Sequence, residues 1–283
     1  MQRWLIVVCV LAVAAVLAWR WAPHPGRDDS LQRVQAGAAL RVGYAVEAPY
    51  ALVQADGGVT GAAPELARLV GERLGVRQFV WIQTHFDALI PELLARRFDV
   101  VAAGMFITPE RAERVAHSRP TQKVRAGLLV RAPTEETAKA TGAIDELARV
   151  AVIEGSVEHI RWVRAGWPAD RLMLVPDAAA GRSAVLEGLA DALALSLPTV
   201  RWMAAHSNGK LSARAMGSGQ AWTEEADFTA FQFHPQDVAL REAWDEALAA
   251  VIGSPAHLEA VRPWGFGLEE LPGSLSVREV LVR

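Results

Sequence analysis

Arg111 is the residue whose position asks for a chemical reason. It lies in the stretch AAGMFITPERAERVAHSRP, residues 102 to 120, where an apolar strand gives way to a helix opening at Pro109. A helix N-terminus already carries partial positive charge, so a guanidinium in its first turn sits at the disfavoured end. An ion pair with Glu110 or Glu113 would relieve it, and so would a bound anion. Phe106 stands just before it, at the strand end. Farther on, Gly155-Ser156 opens a second helix after a strand. Backbone N–H groups and a hydroxyl there can also receive an anion, although Ser156 reads equally well as a helix cap. Other chemistries find no motif. The seven histidines are scattered, a single cysteine (Cys9) rules out a disulfide within the chain, and neither HExxH, GxxxxGK[ST] nor GxGxxG occurs. No metal and no cofactor is expected. A net charge of −3 carries no basic surplus for nucleic acid.

These residues sit in a regular α/β rhythm. Strands are expected at 40–45, 79–83, 99–103, 127–131, 149–153, 172–175 and 190–195. Helices are expected at 64–74, 87–96, from Pro109 after a Thr108 cap, from Ser156, after an Asp177 cap, after Pro198, and at 236–252. ADFTAFQFHP (226–235) alternates like a strand, and 261–273 reads as a packed terminal loop. Two α/β series with a late return of the chain predict two lobes joined by hinge strands. With 52 % hydrophobic and 22 % charged residues, the 283-residue chain can fill both cores.

The N-terminus is set apart. Residues 4–19, WLIVVCVLAVAAVLAW, are uncharged. With its flank to Trp21 the run spans roughly 27 Å as a helix, enough for a bilayer. Residues 1–22 are read as a signal peptide or membrane anchor, and the tryptophans at both ends favour the anchor. Residues 23–38 read as a polar tether.

LRVGYAVEAPYALVQADGGVTGAAPELARLVGERLG, THFDALIPELLARRFDVVAAGMFITPERAERVAHS and RPWGFGLEELPG resemble the family 3 extracellular solute-binding proteins, the periplasmic receptors of polar amino-acid ABC importers. The likeness runs over about residues 39–275 and is stronger in the first half. GYAVEAPY, RFDVVAAGMFITPER and WGF…ELPG are most similar to the branch that binds ectoine and hydroxyectoine. The resemblance implies a type II periplasmic-binding-protein clamshell, with a mixed sheet flanked by helices in each lobe. Lobe 1 would comprise 39–122 plus 229–275, lobe 2 would comprise 126–226, and 276–283 would be a tail. The crossings would lie at 122–125 and 225–229.

The resemblance also implies roles. Arg111 would grip the ligand carboxylate, which a planar fork matches and a lysine does not. Glu47, where most amino-acid binders have an apolar or aromatic residue, would face a cation. Tyr50, Phe86 and Phe106 would cage it, each cation–π contact contributing ~0.5–2 kcal/mol. From the second lobe, Gly155 and Ser156 would close on the carboxylate. Ser196 stands where many α-amino-acid binders have an aspartate for the ammonium, which argues against an ordinary α-amino acid. The expected ligand is a small zwitterion such as ectoine. The expected protein is a monomeric, non-catalytic receptor that hands its ligand to a permease, exported to the periplasm and tethered by residues 4–21. A polar amino-acid receptor, a sensory ectodomain and a periplasmic dehydratase of the cyclohexadienyl type are the alternatives. The last would need a proton donor such as Glu47, Glu154 or Glu158.

Overall fold

The computed structural model of the chain describes residues 28–132, 149–216 and 226–282. The apolar run 4–21, the loop that follows Arg131, Trp222 and the start of the second crossing at Glu225 lie outside the described residues. Among the described residues no helix is long and apolar enough to cross a membrane.

Two five-stranded sheets organise the molecule. In chain order the first series is α1 (Ser30–Gln35), β1 (Leu40–Tyr44), β2 (Leu52–Val53), β3 (Val59–Thr60), α2 (Ala62–Leu74), β4 (Phe79–Gln83), α3 (Leu89–Leu94), β5 (Val100–Val101), α4 (Pro109–Ala112), β6 (Ala116–His117) and β7 (Gln122–Val124). The second is β8 (Ala126–Arg131), β9 (Val150–Ile153), α5 (Val157–Arg164), β10 (Leu172–Val175), α6 (Ala178–Leu186), β11 (Ala192–Ser196), α7 (Leu197–Ala205) and β12 (Leu211–Ala215). The chain then returns through β13 (Asp227–Thr229) and β14 (Gln232–Phe233) to α8 (Val238–Val251), α9 (Pro255–Val261) and α10 (Val277–Leu281).

The first sheet has the order β4-β1-β5-β14-β6 and the second β10-β9-β11-β8-β12. In each, a parallel core of three strands is extended by antiparallel ones: β1 lies parallel to β4 and β5, and β9 parallel to β10 and β11. β7 and β13 form a separate antiparallel ribbon, Gln122 opposite Thr229 and Val124 opposite Asp227, where the chain passes between the sheets. The expected two-lobe α/β architecture is therefore observed.

Each lobe has its own core, because each helix has one apolar stripe and each central strand is buried on both faces. In the first, Leu66 and Val70 of α2 and Trp244 of α8 close over Val42, Val100 and Phe233. In the second, Val185 of α6 and Val200 of α7 pack on Leu129, Ala151 and Leu193. Trp162 and Trp244 are fully buried packing residues.

Three expectations are corrected. Residues 226–235 are not one strand: β13 pairs with β7, whereas β14 enters the first sheet between β5 and β6. All of 227–233 is inaccessible except Asp227, so alternation of residue types could not show where the chain changes partners. The polar tether at 23–38 is helical from Ser30 to Gln35 and docked. Asp28 accepts the Ala239 N–H at 2.5 Å, the Ser30 hydroxyl accepts that of Leu240 at 3.3 Å, and Val34 is buried. The tail at 276–283 contains α10, whose Val277, Val280 and Leu281 pack on Ile107 and Phe228. Both segments are too short for a helical period to stand out, and their docking contacts, with the Ser276 capping box in α10, supply the stability.

Asp99 anchors the N-terminal segment. It is 2 % exposed and accepts from Arg33 Nη2 and Arg41 Nη2, both at 2.7 Å, and from the Arg41 N–H at 2.9 Å. Burial works against its ionised form, but these donors hold it below the usual carboxylate range. Asp99→Asn should cost about 2 kcal/mol in urea denaturation, because charge-assisted hydrogen bonds are lost inside the fold. A loss under about 0.5 kcal/mol would show that α1 is held by its apolar face instead.

Candidate functional site

The loop after β1 is pinned by its own backbone. The Glu47 N–H donates to the Ala51 carbonyl at 2.9 Å, and the Tyr50 N–H donates to the Glu47 carbonyl at 2.8 Å. This directs the Glu47 carboxylate to the second lobe, where the Thr199 hydroxyl donates to Oε1 at 2.7 Å. Thr199 lies in the first turn of α7. Ser196 caps that helix, its Oγ accepting the Thr199 N–H at 3.3 Å and lying 2.9 Å from the Thr199 hydroxyl.

Tyr50 lies against the backbone at Gly104. That glycine has φ +63°, and a Cβ there would come within 2.3 Å of the ring, so no side chain fits. The ring packs 5.4 Å from Phe266. Its hydroxyl is buried without a hydrogen bond of normal length, and burial raises its pKa, with the Ser196 hydroxyl close enough to favour the phenolate slightly.

Arg111 is aimed by the cap of α4: the Thr108 hydroxyl accepts the Arg111 N–H at 3.3 Å, as the sequence predicts. The guanidinium turns away from solvent and lies 5.5 Å from the centre of the Phe86 ring. Nη1 donates to the Phe106 carbonyl at 2.9 Å, and Nη2 reaches across to the Gly155 carbonyl at 3.2 Å. No carboxylate lies within 4 Å of it among the described residues. Neither Glu110 nor Glu113 is its partner. Glu110 pairs instead with Arg164 of α5 at 2.5 Å, a third link between the lobes.

The second-lobe turn differs from expectation. Gly155, with φ +74°, offers its carbonyl to Arg111, while its N–H donates to His159 Nδ1 at 3.3 Å. The Ser156 N–H donates to the Ile153 carbonyl at 3.1 Å, and its hydroxyl caps α5 by accepting the His159 N–H at 3.0 Å. Those two amides are committed within the lobe, because they build the strand-to-helix turn.

Six of the eight predicted residues, Glu47, Tyr50, Phe86, Phe106, Ser156 and Ser196, surround one cavity of ≈ 20 Å³, with Arg111 and Gly155 joined beside Phe86 and Phe106. That space suits a single water. The cleft is closed upon itself. It adjoins a wider opening of ≈ 610 Å³ that shares Glu47 and Phe86 and runs out to Asp177, which also caps α6 by accepting the Ala180 N–H at 2.8 Å. A larger cavity of ≈ 950 Å³ lies beneath α10 and shares no residue with the site.

Glu158 and Thr199 complete the arrangement and were not among the predicted binding residues. Glu158 lines the cavity and is buried, yet an acidic residue in a first helical turn reads as an ordinary match to the helix dipole. Thr199, three residues after a capping serine, carries no signal of its own. Burial, with a smaller push from Glu158, raises the Glu47 pKa to about 7 against the Thr199 hydrogen bond. Burial likewise takes Glu158 to about 7, its own backbone amide opposing and Asp227 assisting. Burial lowers Arg111 to about 10, resisted by the charges of Glu158, Glu110 and Asp227.

Comparison with known proteins identifies the family and the fold. Residues 40–267 match the family described as bacterial extracellular solute-binding proteins, family 3. The chain is 30 % identical over 243 residues to a probable amino-acid ABC transporter periplasmic-binding protein, y4tE, of Sinorhizobium fredii, covering 84 % of this chain and 81 % of that one. The cyclohexadienyl dehydratase of Pseudomonas aeruginosa is 24 % identical over 65 % of this chain and 68 % of its own length. Among solved structures, EhuB in complex with hydroxyectoine superposes with a TM-score of 0.77 at 28 % identity, over 90 % of this chain and 98 % of that one. The P235GK mutant of ArgBP from T. maritima, at 23 % identity and TM-score 0.71 over 83 % and 99 %, shares the fold.

The two buried carboxylates make stability depend on pH. Each binds its proton more tightly folded than unfolded, so the stabilisation is fully present below about pH 4.5 and is lost as pH rises through about 7. The ligand-free Tm should therefore fall more between pH 5.5 and 7.5 in the wild type than in Glu47→Gln/Glu158→Gln. Parallel calorimetric curves would contradict the burial of both groups.

Proposed function

This chain belongs to the bacterial extracellular solute-binding proteins, family 3, and we propose that it is the receptor of an ABC importer for a small zwitterion of the ectoine or hydroxyectoine type. The observation that carries the reading is Arg111: a guanidinium buried against Phe86 whose partners are two main-chain carbonyls, one from each side of the cleft. A ligand carboxylate offers it a bidentate, charge-assisted pair in place of the Gly155 carbonyl. Glu47, with Tyr50, Phe86 and Phe106 around the same space, receives the ligand's cationic ring. The overall likeness to EhuB, whose structure holds hydroxyectoine, supports this choice of ligand.

Binding proceeds by hinge motion. Residues 39–122 with 229–275 part from residues 126–226 about the β7/β13 crossing. Parting releases the Arg111–Gly155, Thr199–Glu47 and Arg164–Glu110 contacts. The ligand enters, replaces the first two and lets the third re-form. Closure is favoured by as much as the ligand's contacts with both lobes exceed those with one. The closed form then docks on a permease. The protein works as an exported, periplasmic monomer, with residues 4–21 holding it to the membrane. The mass of the membrane-extracted protein tests the tether: retention of residues 1–22 supports it, and cleavage after them refutes it.

Ectoine or hydroxyectoine at 100 Kd should stabilise the protein by about 2.7 kcal/mol, seen as a rise in Tm, while glutamine shifts it far less. No response to either ectoine ends the assignment. Arg111→Ala should weaken binding about 100-fold in calorimetric titration while the chain stays folded, and Glu47→Gln about tenfold. Unchanged affinity in Arg111→Ala would place the carboxylate elsewhere.

A further inference from the structure

The cleft holds one charged group that the proposed reading does not use. Glu158, at the second position of α5, is only 4 % exposed, and it lines the same ≈ 20 Å³ cavity as Glu47, Phe86 and Phe106. Its one hydrogen-bond partner among the described residues is its own backbone N–H. The bases around it are committed. Arg161, one turn along α5, pairs through both terminal nitrogens with Asp227, at 2.6 Å for Nη1. Arg111 is spent on the Phe106 and Gly155 carbonyls. A buried carboxylate whose neighbouring cations, Arg161 and Arg111, act on it only through their charge and hydrogen-bond elsewhere is costly, and Glu158 faces the cavity rather than the core.

Glu47 reaches that cavity from the first lobe and Glu158 from the second, so closure brings two carboxylates onto one small volume lined by two phenylalanines. A single compact ammonium satisfies one of them. A planar cation with N–H donors on two sides satisfies both, and its faces are free for the rings. Resting on the reading that Arg111 takes the ligand carboxylate, we propose that Glu47 and Glu158 bracket the ligand's cation and so select a planar amidinium or guanidinium with two outward N–H groups against cations that have none. Glu158 is thereby a specificity-determining residue. It supplies from a helix start the negative charge that the end of β11 lacks, where Ser196 stands.

Calorimetric titration of the full-length chain in mild detergent tests this with two probes. Ectoine has a cyclic amidinium with two N–H groups. Proline betaine is a cyclic zwitterion of similar size whose quaternary nitrogen has none. The wild type should bind ectoine at least about 30-fold more tightly than proline betaine. Glu158→Gln should lose about tenfold for ectoine and little for the betaine, so the ratio shrinks. A purely structural defect would weaken both ligands alike and leave the ratio unchanged, which overturns the inference. So does a wild-type ratio within about threefold, a comparison that needs no variant to fold. If ectoine fails to bind the wild type at all, the proposed function falls and takes this inference with it. Ectoine binding with an unshrunk ratio removes Glu158 alone.

Discussion

A buried guanidinium with no carboxylate in contact among the described residues is the constraint on which this cleft depends. Burial of Arg111 is unfavourable, and it is offset by its two carbonyl partners and by the charges of Glu158, Glu110 and Asp227. Each partner comes from a different local device. The Thr108 cap and Pro109 start a helix just long enough to turn the side chain inward. The segment after β5, bridged at Phe106 to Thr229, presents the Phe106 carbonyl, and the left-handed turn at Gly155 presents the second. Phe86 lies under the planar group and packs against the cores of both lobes. The arginine is thus at once the anion site and the place where the two halves of the protein recognise each other.

The same economy recurs around it. Without ligand, the groups that a ligand would engage are engaged with one another: Glu47 with Thr199, Arg111 with Gly155. Trp202 of α7 lies 5.8 Å from Trp264 of the terminal motif, adding an aromatic contact between the lobes. A ligand therefore competes with protein groups rather than with water. Its selectivity comes from what those stand-ins cannot supply, a full negative charge for Arg111 and a full positive one for the carboxylates. Neutral stand-ins close the cleft while leaving buried charges uncompensated, so a molecule bearing both signs has the largest advantage.

Much of this was legible in the sequence, for identifiable reasons. Longer strands such as β1, β4 and β9 announce themselves as apolar runs, and Thr108, Ser156 and Asp177 cap the helices they were expected to cap. Arg111 stood out because its charge opposes the helix end, and Glu47 only through the family resemblance, which has an apolar or aromatic residue in its place. The two-residue strands β6 and β14 exist only through their neighbours, and no local period marks them, whereas β5 falls within the strand expected at 99–103. The direction of a backbone group is equally hidden. Gly155-Ser156 was read as amide donors, whereas the turn delivers a carbonyl to the cleft. Glu158 is obscured because its burial depends on a lobe some fifty residues away in the chain, around Phe106.

The most direct measurement of the central claim is a crystal structure of the protein grown with ectoine. The account predicts the ligand between the lobes, its carboxylate on both terminal nitrogens of Arg111, its ring beside Phe86 and Phe106, and the Arg111–Gly155 hydrogen bond gone. Density for the ligand in the large cavity beneath α10, or an occupied cleft in which Arg111 still bonds only the two carbonyls, would contradict it.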